Sequence, residues 1–117
     1  MKYLNIIHKH SKRLIAKKAQ VAEGFFDRLM GLMFQREMKD YDGLLILGSN
    51  SIHTCFMRFE IDVLFLTKEN KVIKIFENMK PWRFTWMYFS AIKVLELPGG
   101  TLGKQIKVGD ELELVHV

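Results

Sequence analysis

One stretch decides the fold of this chain: Ile52-His-Thr-Cys-Phe-Met-Arg-Phe-Glu-Ile-Asp-Val-Leu-Phe-Leu66. Its branched and aromatic side chains predict a single long β-strand that is largely buried, because such residues fit a pleated sheet. The polar groups best suited to a functional site also lie here, namely His53, Cys55, Met57, Arg58, Glu60 and Asp62. We therefore expect the sheet and any site to meet on this strand.

Shorter strand patterns lie on both sides of this stretch. A hairpin with a basic turn is predicted from Tyr3 to Ile7 and from Leu14 to Val21. The remaining predicted strands are Leu44 to Leu47, Val72 to Phe76, Ile92 to Leu97 and Glu111 to Val115. Between Gly24 and Phe34 the apolar residues recur at helical spacing, which predicts one amphipathic helix of about three turns. The sequence thus predicts a mainly β fold, a small antiparallel β-barrel or sandwich of about seven short strands with one helix.

Length and composition indicate one soluble domain spanning residues 1–117. Of the 117 residues, 49% are hydrophobic and 26% are charged, which is near the average for a globular domain and unlike a disordered chain. Cys55 is the single cysteine, so no internal disulfide can form. No apolar segment is long enough for a secretory signal or a transmembrane helix, and we expect a cytoplasmic protein.

The net charge of +5 is concentrated at the N-terminal hairpin. Six lysines and arginines precede the first acidic residue, Glu23, so the rest of the chain is close to neutral. Such a hairpin could bind nucleic acid or an anionic surface. Lysines on an edge hairpin also prevent edge-to-edge aggregation, and no recognition helix or zinc finger is evident in the sequence. Nucleic-acid binding is therefore the less favoured alternative.

The polar side chains of the long strand divide between two faces if that strand is regular. His53, Cys55 and Met57 share the apolar face, and Arg58 and Asp62 lie on the other. At about 3.3 Å per residue, His53 and Met57 would be about 13 Å apart at the backbone, too far for one metal ion. We therefore expect no metal and no other cofactor. A small hydrolase or transferase using His53 with Asp62 or Cys55 is an alternative, which requires these side chains to converge within hydrogen-bond reach.

Arg58 is the strongest candidate for binding. A buried arginine must pair with a carboxylate, and an ion pair with Asp62 is the structural interpretation. An exposed arginine can hold a carboxylate or phosphate through its planar fork, with Arg83 as a second cation. The predicted ligand-binding residues are Arg58, Asp62, Arg83, Trp82, His53 and Glu96. The predicted function is non-catalytic binding of a small anionic ligand or a protein partner.

Aromatic residues are concentrated between Trp82 and Phe89, which include five of the fourteen aromatic residues in the chain. Trp82, Phe84, Trp86 and Tyr88 alternate, so a strand would place four rings on one face. Such a face either lines a core or forms an interface, since exposed aromatic patches mark binding surfaces. Homo-oligomerisation through Trp82 to Phe89 is the simplest form of the second interpretation.

Three groups of residues, spread over nearly the whole chain, form a recognisable pattern. They are Ala22, Asp27-Arg28, Gly31-Leu32-Met33, Arg36 and Gly43; His53-Thr54, Met57-Arg58, Ile61-Asp62 and Phe65-Leu66; and Pro81-Trp82-Arg83, Leu95-Glu96-Leu97-Pro98, Gly100 and Gly109-Asp110. This pattern resembles the bacterial and archaeal family known as domain of unknown function 192. The resemblance implies a compact β-rich fold and carries over no catalytic residue. The chain departs from the family at Glu60, where many relatives carry a proline, and in the unusually aromatic stretch between Arg83 and Ala91.

Overall fold

The computed structural model describes residues 2–24, 31–103 and 105–117. Its strands are β1 (Tyr3–His8), β2 (Leu14–Ala22), β3 (Gly43–Leu47), β4 (Ile61–Leu66), β5 (Val72–Met79), β6 (Lys93–Pro98) and β7 (Leu112–His116). No helix occurs within the described ranges. The helix predicted between Gly24 and Phe34 falls mostly on residues outside them, and its described end, residues 31–34, is a turn.

The seven strands form one curled sheet in the order β5-β4-β6-β3-β2-β1-β7. Neighbouring strands are antiparallel except β2 and β3, which run parallel with Ala19 opposite Gly43. A parallel pair needs a long crossover, which residues 23–42 provide. An isolated bridge between Lys71 and Glu111 brings the two edges of the sheet together at one end. The sheet is therefore a half-barrel of mixed strand direction.

The predicted mainly β fold of about seven strands is confirmed. The prediction of one strand from Ile52 to Leu66 is wrong over its first half, because β4 begins only at Ile61. Ahead of β4, residues 55 and 56 form a turn in which Phe56 has a left-handed backbone, with φ of 64°. A residue in that conformation interrupts the pleat of a strand. The expected alternation of faces along the whole stretch therefore does not occur.

The sheet buries apolar side chains on both of its faces. The inner core draws on all seven strands and consists of Leu4, Ile6, Ala16, Ala19, Leu45, Leu64, Leu66, Val72, Leu95, Leu97, Leu102, Ile106 and Leu112. The outer core takes its strand residues from β2, β3, β4 and β6 and consists of Ala22, Leu32, Leu44, Ile46, Met57, Ile61, Val63, Phe65, Ala91 and Val94. Irregular segments rather than strands complete the outer core, since Leu32, Met57 and Ala91 belong to loops.

Strand β4 lies between β5 and β6 and is apolar at every position except Asp62. All six of its residues are buried, with Leu64 and Leu66 in the inner core and Val63 and Phe65 in the outer core. A strand covered on both faces has no polar alternation. Each large side chain buried in this way contributes about 1.5–3 kcal/mol to stability, so β4 is the part of the stretch that holds the fold together.

Candidate functional site

Thr54 fastens two irregular segments, residues 50–58 and 80–88, to each other. Its buried hydroxyl donates to the carbonyl of Lys80 at 2.7 Å and accepts from the amide of Arg83 at 2.9 Å. The Thr54 amide donates to the Arg83 carbonyl at 2.7 Å, and the Thr54 carbonyl accepts from the amide of Trp82 at 3.0 Å. Four hydrogen bonds from one residue leave the two segments little freedom to separate.

Three aromatic side chains of these loops and the preceding turn pack in a row, called the stack below, with Phe56 between Phe34 and Trp82. The ring centroids of Phe34 and Phe56 are 5.2 Å apart, and those of Phe56 and Trp82 are 4.7 Å apart. All three residues have left-handed backbones, with φ of 66°, 64° and 65° respectively. That conformation costs about 1–2 kcal/mol for a residue other than glycine, and such strain is concentrated at functional sites. The stack therefore marks this region as the candidate site.

A cavity of about 590 Å³ lies beside the stack and shares Phe34 with it. Its lining residues are Phe34, Gln35, Arg36, Glu37, Lys39 and Arg58. Three of these side chains are cationic and one is anionic, so positive charge predominates in the lining. Arg58 is exposed rather than buried, and is therefore open to a ligand.

Tyr41 binds one residue of the cavity lining. The hydroxyl of Tyr41 donates to Oε1 of Gln35 at 2.6 Å. Burial raises the pKa of Tyr41, the hydrogen bond with Gln35 lowers it, and the nearby charge of Glu96 raises it again. Glu96 lies on the outer-core face of β6, opposite Leu44 and Val63.

Glu96 is almost completely buried. Its Oε2 has no hydrogen-bond partner in the described part of the chain. Burial raises the pKa of Glu96 to about 8, because an apolar environment disfavours the charged form of a carboxyl group. At neutral pH the group is therefore mostly protonated.

Asp62 is also buried, and backbone amides surround its carboxylate. Its Oδ1 accepts from the amides of Asn78 at 2.8 Å and Gly100 at 3.3 Å, and its Oδ2 accepts from the amide of Leu102 at 3.0 Å. The carboxylate thereby joins the end of β5 to the turn that follows β6. The expected ion pair between Asp62 and Arg58 does not form among the described residues, because three amides bind the carboxylate while Arg58 lies at the surface.

His53 and Cys55 are neighbours in a loop rather than along a strand. The backbone amide of Cys55 donates to Nδ1 of His53 at 3.2 Å. Among the described residues, His53 makes no hydrogen bond to Asp62 or to the Cys55 thiol. Nor do those residues include a group of three His, Cys, Asp or Glu arranged to hold a metal ion. The structure thus does not bring together the catalytic pairs considered for His53.

The segment from Trp82 to Phe89 lies mostly at the surface. Thr85 and Tyr88 are the exceptions, since both are half-buried, and Tyr88 packs against Phe65 with ring centroids 4.7 Å apart. The segment is not a regular strand, and a single bridge joins Phe84 to His53. Arg83 is exposed but does not line the cavity beside Arg58. The exposure of this segment favours the interface interpretation over the core one, and homo-oligomerisation stays a prediction.

A second polar cluster lies at the N-terminal hairpin. His8 Nε2 is 2.9 Å from Oδ2 of Asp110, and the Ser11 hydroxyl is 2.8 Å from Nδ1 of the same ring. Hydrogen bonds from the amide of Lys107 and from His8 lower the pKa of Asp110. The order of groups is that of a serine hydrolase, but the amide of Ser11 also donates to His8 Nδ1 at 3.1 Å. Nδ1 has one lone pair. Because the Ser11 amide donates to it, that lone pair is not available to take a proton from the Ser11 hydroxyl, and we interpret the contact as stabilising the hairpin turn.

Eight residues that build the site are absent from the predicted binding residues: Phe34, Gln35, Arg36, Glu37, Lys39, Tyr41, Thr54 and Phe56. Arg36 and Lys39 lie in a polar segment that looks like ordinary surface. Their sequence signal is two cations within four residues. Thr54 offers a clearer signal, since a hydroxyl inside an apolar run must find a hydrogen-bond partner when it is buried.

Known proteins share this sequence pattern. Residues 6–114 match the model of the domain of unknown function 192 family, described as an uncharacterized ACR. A UPF0127 protein of Pyrococcus furiosus is 34% identical over 100 residues, which cover 82% of this chain and 85% of that protein. A UPF0127 protein of Thermococcus sibiricus is 31% identical over 114 residues, covering 92% of this chain and 73% of that protein. The family resemblance of the three residue groups is confirmed.

Two crystal structures share the fold. A putative transcription regulator from Sinorhizobium meliloti matches with a TM-score of 0.80 and 25% identity, covering 97% of this chain and 92% of that one. A protein of unknown function from Novosphingobium aromaticivorans matches with a TM-score of 0.78 and 23% identity, covering 95% and 83%. Within its described residues, this chain has no helix with the length and apolar character needed to cross a membrane.

Proposed function

Because this chain belongs to the domain of unknown function 192 family, a membership that supplies a fold but no reaction, we propose its function from the geometry of its surface. The protein binds a small anionic ligand in the cavity beside Arg58 and performs no catalysis there. One observation carries the proposal: Arg58, Arg36 and Lys39 line the same cavity. The proposal includes the cytoplasmic location predicted from the sequence.

The chemistry of the lining suits a carboxylate or a phosphate. An arginine presents two parallel N–H groups that match the two oxygens of such an anion, and lysine adds a compact positive charge. Glu37 is the single acid of the lining and leaves the positive charge in excess. The volume of about 590 Å³ lies within the usual range for small-molecule sites. A metabolite-sized anion would therefore fit.

The surroundings of Arg58 are already ordered before a ligand arrives. Phe34 forms part of the cavity wall, and its amide donates to the Phe56 carbonyl at 2.8 Å. Gln35 is oriented by its hydrogen bond with Tyr41. A site that need not be ordered on binding keeps more of its interaction energy as affinity.

Calorimetric titration with inorganic phosphate, at constant ionic strength set with chloride, tests the proposal. The native protein is expected to show saturable binding. Arg58→Gln should weaken it more than about tenfold, because a bidentate contact is lost. Arg36→Gln should act in the same direction. The matched control is Arg83→Gln, which removes an exposed arginine that does not line the cavity and should leave binding unchanged.

Two results would contradict this assignment. One is an equal affinity of the native protein and of Arg58→Gln for phosphate, since the cavity would then not be the binding site. The other is a loss caused by Arg83→Gln but not by Arg58→Gln, which would move the site to the segment that carries Arg83.

The nucleic-acid alternative has weaker support. The fold neighbour from Sinorhizobium meliloti is described as a putative transcription regulator, and the hairpin is basic. However, three of its lysines already pair with carboxylates: Lys2 with Glu23 at 3.4 Å, Lys9 with Glu111 at 3.2 Å and Lys12 with Glu113 at 2.8 Å. These pairs reduce the positive charge that is available to a phosphate backbone. The anion cavity is therefore preferred.

A further inference from the structure

An exposed aromatic surface lies outside the ligand cavity. It consists of Trp82, Phe84, Trp86, Met87 and Phe89, whose exposed fractions are 57%, 82%, 85%, 55% and 79%. With roughly 200 Å² for each large ring, the four rings together expose on the order of 600 Å² of mostly apolar area. The largest apolar patch on a typical monomer is about 300–600 Å² and is often functional. The aromatic surface is therefore a candidate interaction site.

The backbone that carries these rings is fixed. The amide of Thr85 donates to the Ile52 carbonyl at 3.0 Å, and the amide of Ile52 donates to the Thr85 hydroxyl at 3.1 Å. The amide of Tyr88 donates to the Asn50 carbonyl at 2.9 Å. Between these anchors, Trp86 and Met87 project from a segment that is tied down on both sides. The backbone hydrogen bonds thus hold the rings at the surface.

The charges around the aromatic surface identify the kind of partner. No aspartate or glutamate occurs between Glu77 and Glu96 in the sequence, whereas Lys80 and Arg83 are both exposed. In a two-fold dimer the same surface of each copy faces the other, so the partner's stretch would offer these cations no carboxylate. An anionic lipid surface would attract them instead. Tryptophan and phenylalanine beside lysine and arginine are typical of segments that lie in the headgroup region of a bilayer.

We propose that the aromatic surface docks on an anionic lipid bilayer. Phe84, Trp86 and Phe89 enter the boundary between headgroups and acyl chains, and Lys80 and Arg83 contact lipid phosphates. The protein then lies on the membrane and does not cross it. This binding is independent of the anion cavity, because none of these five residues lines that cavity.

Tryptophan fluorescence tests the proposal directly, because both tryptophans of the chain lie in the aromatic surface. Vesicles of equal parts phosphatidylglycerol and phosphatidylcholine should co-sediment with the protein and shift its emission to shorter wavelength. Vesicles of phosphatidylcholine alone should bind much less. Binding to the anionic vesicles should fall as salt is added, since exposed charges are screened.

Variants at exposed positions separate the contribution of the aromatic rings from that of the two cations without disturbing the fold. Combined Phe84→Ser and Trp86→Ser should weaken vesicle binding more than about tenfold, because two inserted rings are lost. Val108→Ser is the matched control, since Val108 is 61% exposed and lies outside the aromatic surface. Combined Lys80→Gln and Arg83→Gln should remove the preference for anionic lipid, and Lys68→Gln should not.

Either of two results would overturn the proposal. The first is the absence of any spectral shift and of co-sedimentation with anionic vesicles at low salt. The second is a stable dimer in sedimentation equilibrium that ignores vesicles and dissociates in the Phe84→Ser and Trp86→Ser variant. The second result would assign the aromatic surface to a second copy of this chain.

Discussion

The inner and outer cores each hold one buried carboxyl group, and the two groups have opposite surroundings. Asp62 on β4 accepts hydrogen bonds from three backbone amides. Glu96 on the neighbouring strand β6 has an oxygen with no partner in the described part of the chain. Both side chains are nearly inaccessible to solvent. Burial alone therefore does not tell whether a carboxyl group stabilises the fold.

The rest of each core follows the same division. Strand residues make up most of the inner core. The Asp62 carboxylate joins the end of β5 to the turn that follows β6. Loops complete the outer core, and those loops carry the left-handed aromatic stack, the cationic cavity and the aromatic surface. Natural proteins break local rules of stability mainly where they function. The outer side is therefore where we expect function, and the inner side is where we expect stability.

The largest effect should come from Asp62→Ala. Removing this carboxylate leaves three amides at a buried position without an acceptor, and a cost of roughly 4 to 6 kcal/mol in the free energy of unfolding is expected. Urea unfolding followed by circular dichroism measures it. If Asp62→Ala does not fold, Asp62→Asn, which keeps one acceptor oxygen, should fold with an intermediate loss.

The matched control for Asp62 is Glu60→Ala, two residues earlier and exposed. It should change the free energy of unfolding by less than about 0.5 kcal/mol. Comparable losses from Glu60→Ala and Asp62→Ala would show that the amide contacts do not set the stability of the inner side.

Glu96→Gln should instead stabilise the protein, and only at higher pH. With a pKa of about 8 in the folded state and an ordinary value near 4.5 when unfolded, Glu96 keeps its proton in the fold after the unfolded chain has lost it. The unfolded state then binds fewer protons, so the stability of the native protein falls as the pH rises from about 4.5 to about 8. The variant lacks this loss and should gain roughly 3 to 5 kcal/mol at pH 8.

Unfolding midpoints measured across this pH range check the prediction. Near pH 4.5 the native protein and Glu96→Gln should be similar, because Glu96 is protonated in the fold and costs little. Glu77→Gln, an exposed change, should follow the native curve throughout. A native curve that is flat between pH 4.5 and 8 would mean that Glu96 is paired and that the two cores do not differ in this way.

Local patterns predicted most of the strands, and long-range contacts explain what they missed. Short apolar runs bounded by turns located β1 and β5 to within a few residues, because strand formation there depends on neighbouring side chains. The parallel pairing of β2 with β3 depends on the whole crossover of residues 23–42, which carries no pairing signal. The break before β4 depends on the left-handed backbone of Phe56. Glycine or asparagine usually occupies that conformation, so a phenylalanine gives no sequence signal for it.

The candidate site was predictable in part for the same reason. Arg58 stands out because a charge in an apolar run needs an explanation, and the structure places it at a cavity. Arg36 and Lys39 reach that cavity only because the turn at Phe34 is joined to Phe56. The three amides that bind Asp62 come from residues up to 40 positions away, so no spacing along the chain indicates them.

A smaller effect is expected from Thr54→Val, which tests whether the outer loops are fastened as described. The substitution keeps the shape of the side chain but removes the hydroxyl. The Lys80 carbonyl then loses its hydrogen-bond donor, and the Arg83 amide loses its acceptor. A loss of roughly 1 to 3 kcal/mol follows from the buried groups left unsatisfied. Thr54→Ser should restore most of it. Hydrogen exchange should quicken at the amides of residues 82–85 and not in β4, and equal quickening in both would contradict the division into two sides.

The smallest effect on stability should come from Arg58→Gln. Arg58 is exposed, and it forms no ion pair with a described residue within 4.0 Å, so its loss should change the free energy of unfolding by less than about 0.5 kcal/mol. The same variant should lose phosphate binding, and that combination separates it from Asp62→Ala. Thermal unfolding with and without phosphate measures both properties at once, because a ligand that binds only the folded state raises the midpoint. If Arg58→Gln lowers the midpoint substantially in the absence of phosphate, then Arg58 supports the fold, and the outer side of the sheet is not reserved for function.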